Sequence, residues 1–233
     1  MRKLFVIDWD DSLRIGYSAV DWISSLHNTG LFSNYYYKKL KQTIELYKTK
    51  KIDYNQFVNV YADIYFKGTK SVDSLQLEKQ VQLFAKTEIE HNLSHFALDL
   101  IDYLKNSGYT ILVISGSPQI LVSQIFNKLI KDGELYVHGI TEDNSERTYS
   151  GSSEAKVDIF KRYVDDFSLI GAIGDSPGDY EILKQSDFGF IVGEKVKSSL
   201  LRLKKIYHHT EFEELKNHIK LYEYNAENIL SLK

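Results

Sequence analysis

Apolar residues along the chain fall into two alternating patterns. Leu4, Phe5, Val6 and Ile7 form an unbroken apolar run that stops at Asp8, as expected of a strand buried on both faces. A second such run, YTILVIS at 109–115, follows Gly108. Ahead of it, Ala97, Leu100, Ile101 and Leu104 repeat at helical spacing, and behind it Val122, Ile125, Phe126 and Leu129 do the same. Residues 135–140, 168–174 and 188–192 supply three further strands, with a polar hairpin-like stretch running from the third strand to Gly151. Short helices are expected around 154–163 and 178–185, and a final amphipathic helix carries Phe212, Leu215, Ile219 and Tyr222. Strands alternating with helices require crossovers, which predicts an open α/β domain with a parallel sheet covered on both faces.

Residues 14–93 interrupt the alternation and are too many for a structureless loop in a compact domain. Their pattern is helical. Tyr37, Leu40, Ile44 and Tyr47 share one face, and Tyr54, Phe57, Tyr61 and Tyr65 share another. Asp53 with Gln56 reads as a capping box opening the second of these helices. The tyrosine-rich face is expected to be the insert's own core rather than a base-stacking platform. Lys38, Lys39 and Lys41, with Lys48, Lys50 and Lys51, read as a solvated face.

Composition narrows the function. Of 233 residues 43% are apolar, enough for a real core, and a net charge of −3 argues against a general nucleic-acid or membrane-surface binder. The absence of cysteine excludes disulfides, zinc–thiolate sites and thiol catalysis. The N-terminus lacks the long apolar run of a secretory signal, and no 18-residue apolar stretch could span a bilayer, so a cytoplasmic location is expected.

In an open parallel sheet, ligands bind beyond the carboxyl ends of the strands. The first strand leads into Asp8-Trp9-Asp10-Asp11-Ser12, the second into Ser115-Gly116-Ser117-Pro118, and the fourth into Gly174-Asp175-Ser176-Pro177-Gly178-Asp179. Both prolines of the chain follow serine in these loops, so Ser117 and Ser176 are expected to cap helices that start at the rim. Carboxylates crowded from two distant segments would repel each other without a cation, and oxygen ligands alone favour a hard ion such as Mg²⁺. His91 and His95 share a helical spacing but have no third ligand, and His208-His209 is expected to cap or solvate a turn.

These segments resemble the motifs of the haloacid dehalogenase-like superfamily. Asp8-Trp9-Asp10-Asp11-Ser12-Leu13 is similar to the first motif, Ser115 after ILVI to the second, Lys156 to the third, and GDSPGDYEIL at 174–183 to the fourth. The helical insert, the SGSP segment and the stretch DSLRIGYSAVDWI resemble the phosphoserine-phosphatase-like branch. Asp11 stands where that family commonly has glycine, and Ser12 where threonine is commoner.

The resemblance implies a Rossmann-like core over 1–13 and 94–233, a helical cap over 14–93, and hydrolysis of a phosphomonoester through an aspartyl-phosphate. It casts Asp8 as nucleophile and Asp10 as general acid and base, with its pKa raised by neighbouring carboxylates. Ser115 and the Gly116 N–H would hold phosphate oxygens, Lys156 would neutralise the transferring group, and Asp179 would orient Lys156. Mg²⁺ would be held by Asp8, the Asp10 main-chain carbonyl and Asp175. Arg14 and Tyr17 either reach the pocket or lie on the surface. The partner expected is a small phosphorylated metabolite, not nucleic acid or membrane. The alternatives are a phosphotransferase using the same intermediate and a non-catalytic, receiver-like phosphate-binding module.

Overall fold

The structure is a computed structural model and describes residues 1–130, 133–143, 146–148, 150–192, 206–208 and 211–231. Strands β1 (Lys3–Ile7), β2 (Tyr109–Pro118), β3 (Leu135–Asp143), β4 (Glu146–Thr148), β5 (Leu169–Gly174), β6 (Phe188–Ile191) and β7 (Ile206–His208) form one sheet in the order β4-β3-β2-β1-β5-β6-β7. Neighbours are parallel except for the β3–β4 hairpin, which occupies the polar stretch expected before Gly151. The chain builds outward on one side of β1 through β2 and β3, then on the other through β5 and β6. The order therefore reverses beside β1, and there a crevice opens beyond the strand ends.

Alternation along the strands divides the core between the two faces. Phe5, Ile7, Ile111 and Val113 face α5 (Ala97–Asn106), α6 (Gln119–Leu129) and α9 (Phe212–Ser231). Leu4, Val6, Leu112 and Ile114 face α7 (Ser153–Lys161) and α8 (Tyr180–Gln185). Gly171 permits this packing, because a Cβ there would lie 2.5 Å from the Phe188 ring.

Between β1 and α5 lie four helices, α1 (Ser18–Asn28), α2 (Asn34–Lys48), α3 (Tyr54–Thr69) and α4 (Ser74–His91). The expected capping box opens α3: Gln56 N donates to Asp53 at 2.8 Å, and Asp53 N donates to the Gln56 side chain at 3.0 Å. The apolar cluster on the first sheet face continues into this insert through Trp22, Tyr61, Tyr65 and Ala85. The chain enters and leaves the insert side by side. Ile15 N donates to Asn92 O at 2.9 Å and Ser94 N to Leu13 O at 2.8 Å. Arg14, only 2% exposed, is pinned there by Glu88 at 2.7 Å and by Asp21. The surface reading of Arg14 is therefore wrong, and its charge acts on Asp10.

The structure departs from the sequence reading at the two Ser-Pro steps. Ser117 lies in β2, which extends to Pro118 after a register shift, and α6 begins only at Gln119 without a side-chain cap. Ser176 opens a turn in which its N–H and hydroxyl both bond Asp179, at 3.1 and 2.9 Å, and α8 starts four residues later. Strand β7 was not foreseen, being three residues long. No helix among the described residues is long and apolar enough to cross a membrane.

Candidate active site

Four rim segments meet at the crevice. From the end of β1 comes Asp8, 7% exposed, with one carboxylate oxygen 3.2 Å from the Ser12 hydroxyl and the other 2.7 Å from Lys156 Nζ. Asp11 turns the chain in the left-handed region, at φ 54°. Glycine is the default in such a conformation, and aspartate tolerates it when its short side chain finds a local partner. Here that partner is Gly16 N, 2.7 Å from Asp11 Oδ1. Asp11→Ala, which loses this bond and keeps the unfavourable φ, is expected to cost about 1–2 kcal/mol in urea denaturation. Asp11→Gly should be nearly neutral.

Asp10 sits below the rim and accepts from Ser18 N at 2.5 Å and from the Ser117 hydroxyl at 2.7 Å. Its pKa is raised, but by burial; the two serines and Arg14 pull it down. The expected cause, crowding by carboxylates, is not what dominates. Ser117, read from sequence as a helix cap, is instead the hydroxyl that ties β2 to Asp10.

Ser115, fully buried where the register of β2 shifts, accepts from Ser117 N at 3.1 Å, while its carbonyl accepts from the Ser150 hydroxyl at 2.7 Å. Gly116 lies against Gly151, whose Cα would be 3.3 Å from a Cβ on Gly116, so any side chain would crowd this floor.

Lys156 enters from the first turn of α7, which Ser152 caps at 3.2 Å. It is 1% exposed, and its ammonium lies 2.7 Å from both Asp8 and Asp179. Those two carboxylates hold its pKa well above the usual value despite burial. Lys161, the neighbouring candidate, lies on the exposed face of α7. The β5 loop brings Asp175 and Asp179 to the same point, helped by Gly174, where a Cβ would sit 2.5 Å from that of Asp179.

Asp8, Asp175 and Asp179 each offer an oxygen within 4.8 Å of the others, the one such group of three or more among the described residues. Burial, reinforced by the neighbouring carboxylates, pushes Asp8 up to about 7 and Asp175 up to about 10. One ammonium cannot compensate three clustered carboxylates, of which Asp8 and Asp179 are buried and Asp175 half-buried, so the donor set fits a hard, oxygen-seeking divalent cation. Asp179, expected both to crowd this site and to orient Lys156, is part of this group, whereas the Asp10 carboxylate accepts from Ser18 N and the Ser117 hydroxyl. His91 and His95 are exposed and lie near different acids, Glu90 at 3.9 Å and Glu211 at 3.7 Å.

Sequence reasoning missed the aromatic wall. Tyr54, the first residue of α3, lies between Gly116 and Gly178: its hydroxyl would be 4.0 Å from a Cβ on the first, and its Cε1 3.3 Å from one on the second. Burial and the charges of Asp8, Asp179 and Asp175 drive its pKa up. Tyr61 and Tyr65, by contrast, belong to the core as expected. The signal was position: a residue following a helix cap lies at the helix mouth, where it can face a neighbouring rim.

No family model matches the chain, and no curated protein matches it in sequence. Solved structures do match its fold. A protein of unknown function from Bordetella pertussis Tohama I superposes with a TM-score of 0.69 at 16% identity, over 87% of this chain and 94% of its own. A phosphoserine phosphohydrolase-like protein from Francisella tularensis subsp. tularensis SCHU S4 follows at 0.61 and 16%, over 92% and 98%. A phosphoserine phosphatase described as a phospho-aspartyl intermediate analogue gives 0.55 and 19%, over 93% and 98%. The chain shares the fold of these three structures.

Proposed function

We propose that this chain is a Mg²⁺-dependent phosphatase that hydrolyses a small phosphomonoester through an aspartyl-phosphate on Asp8. The observation that carries the reading is a buried lysine held 2.7 Å from two carboxylates, inside a three-carboxylate cluster where the strand order reverses. Support also comes from the fold shared with a phosphatase described as a phospho-aspartyl analogue.

Asp8 would attack phosphorus, with Ser12 and Lys156 each hydrogen-bonded to one of its oxygens and so fixing its orientation. The bond from phosphorus to the ester oxygen breaks, and Asp10, which burial favours in its protonated form, gives its proton to the departing alkoxide. As a carboxylate, Asp10 then takes a proton from water, whose oxygen displaces Asp8 from phosphorus and releases inorganic phosphate. Ser115 and the Gly116 N–H line the floor for phosphate oxygens, and Asp179 keeps Lys156 aimed at the transferring group. Asp8, Asp175 and the Asp10 main-chain oxygen would hold Mg²⁺, whose charge would offset that of the phosphate and the carboxylates.

Purified protein should release phosphate from a generic aryl phosphate with Mg²⁺, lose that activity in EDTA and regain it on adding Mg²⁺. Undiminished hydrolysis in EDTA would refute the metal requirement. The same cluster predicts a pH dependence of stability. A carboxyl whose folded pKa is raised binds more protons folded than unfolded, so stability falls as pH climbs from about 4 towards the folded values. EDTA-treated protein should therefore have a lower Tm at pH 8 than at pH 5.5. Mg²⁺ at about a hundred times its Kd should add about 2.7 kcal/mol at pH 8. Scanning calorimetry at both pH values checks this, and a Tm that rises with pH in EDTA would contradict it.

A further inference from the structure

The insert side chains that face Asp8, Asp175 and Lys156 are tyrosines. Tyr54 fills the space between the β2 and β5 loops. Tyr47, in the last turn of α2, has its ring centroid 6.5 Å from that of Tyr54 and stacks on Phe57 at 4.9 Å with an interplanar angle of 22°. Tyr17, 51% exposed, lies close enough to Asp11, Asp175 and Tyr47 for their charges to act on it. Tyr47 in turn feels the charge of Asp175. The three rings thus stand around the approach to the acidic cluster.

Two polar side chains of the insert near this approach, one charged and one neutral, are already engaged. Arg14 is buried with its guanidinium on Glu88 and Asp21. Asn55, next to Tyr54, is turned to the core, where its amide donates to Glu154 at 3.0 Å and its oxygen accepts from Ser153 N at 3.3 Å. An amino-acid leaving group would need an anion for its ammonium and a cation for its carboxylate, and burying either unpaired is costly. Tyrosine offers neither. Flat apolar faces tipped with hydroxyls instead reward a ring that can stack and accept a hydrogen bond.

Resting on the phosphatase reading, we propose that Tyr17, Tyr47 and Tyr54 form the leaving-group pocket. They select a phosphomonoester of an uncharged, ring-bearing alcohol, such as a nucleoside or an aryl alcohol, over a phosphorylated amino acid. Tyr54 forms the inner wall beside the phosphate, and Tyr47 and Tyr17 hold the ring at the mouth.

Binding and turnover are measured separately so that the two readings can fail separately. Calorimetry on the Asp8→Asn protein with Mg²⁺ would compare phenyl phosphate, a nucleoside 5′-monophosphate, ethyl phosphate and phosphoserine. The ring esters are expected to bind at least about tenfold more tightly than phosphoserine, in line with one ring-stacking contact. Tyr47→Leu should erase the preference of phenyl over ethyl phosphate, and Tyr47→Phe, which keeps the ring, should retain it. Phosphoserine binding as tightly as the ring esters, a preference that survives Tyr47→Leu, or no binding of any ester would overturn the proposal. If the binding order holds in a protein whose wild type hydrolyses none of the four, the pocket stands and the hydrolytic reading falls. If the wild type hydrolyses phosphoserine fastest, the hydrolytic reading stands and the pocket assignment falls.

Discussion

Asp8→Asn is expected to lower kcat for aryl phosphate hydrolysis by at least about 10³-fold, the scale of losing a covalent nucleophile, while the protein stays folded. An amide is close to isosteric with the carboxylate, so its oxygen can still accept from Lys156 and its NH₂ can donate to the Ser12 hydroxyl. The substitution also removes one of three crowded negative charges, so no fall in Tm in EDTA is expected beyond the weakened contact to Lys156. Steady-state kinetics beside thermal unfolding separates the two effects. A variant that keeps wild-type turnover would show that the phosphoryl group is never attached to Asp8. A variant that is inactive because it is unfolded would be recognised by its lost transition, and Asp8→Glu would then serve as the second probe, since it keeps the charge but displaces the attacking oxygen.

The second large effect concerns stability. Glu88 is 1% exposed and takes two bonds from Arg14, at 2.7 and 3.2 Å, and one from Asn92 at 2.7 Å. Removing one partner of such a pair strands the other charge without water. Glu88→Leu or Arg14→Leu is therefore expected to destabilise the protein by about 3–5 kcal/mol, lowering Tm by about 10 °C or more for a chain of this size. Replacing both residues with leucine should recover most of the loss, because two apolar side chains leave no orphaned charge. Urea titrations of the single and double variants form a complete cycle. Additive losses in the double variant would mean that the pair is not coupled.

Several features were readable in the amino-acid order because they depend on neighbours close in sequence. The unbroken run at 4–7 has no polar face to leave outside, and it is the centre of the sheet. The Asp53–Gln56 box is closed within four residues and forms as expected. The acidic loops after β1 and β5 follow buried parallel strands, and such strands deliver their ends to one rim, where Asp8 and Asp175 meet.

What stayed hidden depends on partners distant in sequence. Arg14 and Glu88 are 74 positions apart, and nothing local distinguishes either from a surface charge. Ser117 precedes proline and looks like a cap; only the bulge that lengthens β2 turns its hydroxyl towards Asp10, 107 positions away. Tyr54 shares its helical face with core tyrosines, and its exit from that core follows from where α3 meets α7, through Asn55 and Glu154. The pKa of Asp10 was given the right direction for the wrong reason, since depth inside the protein is not visible in a list of nearby acids.

The paired crossing at residues 13–15 and 92–94 limits where a change in the insert can be felt. A long excursion that departs and returns through one narrow doorway touches the rim at few points, chiefly through Gly16, Ser18 and Tyr54. Whatever replaces it must match the apolar underside resting on the sheet's helices, keep the amides that bond Asp10 and Asp11, and rejoin at the same two hydrogen bonds. An exchange of that one contiguous piece of chain, made within these limits, should leave the sheet and its strand order intact.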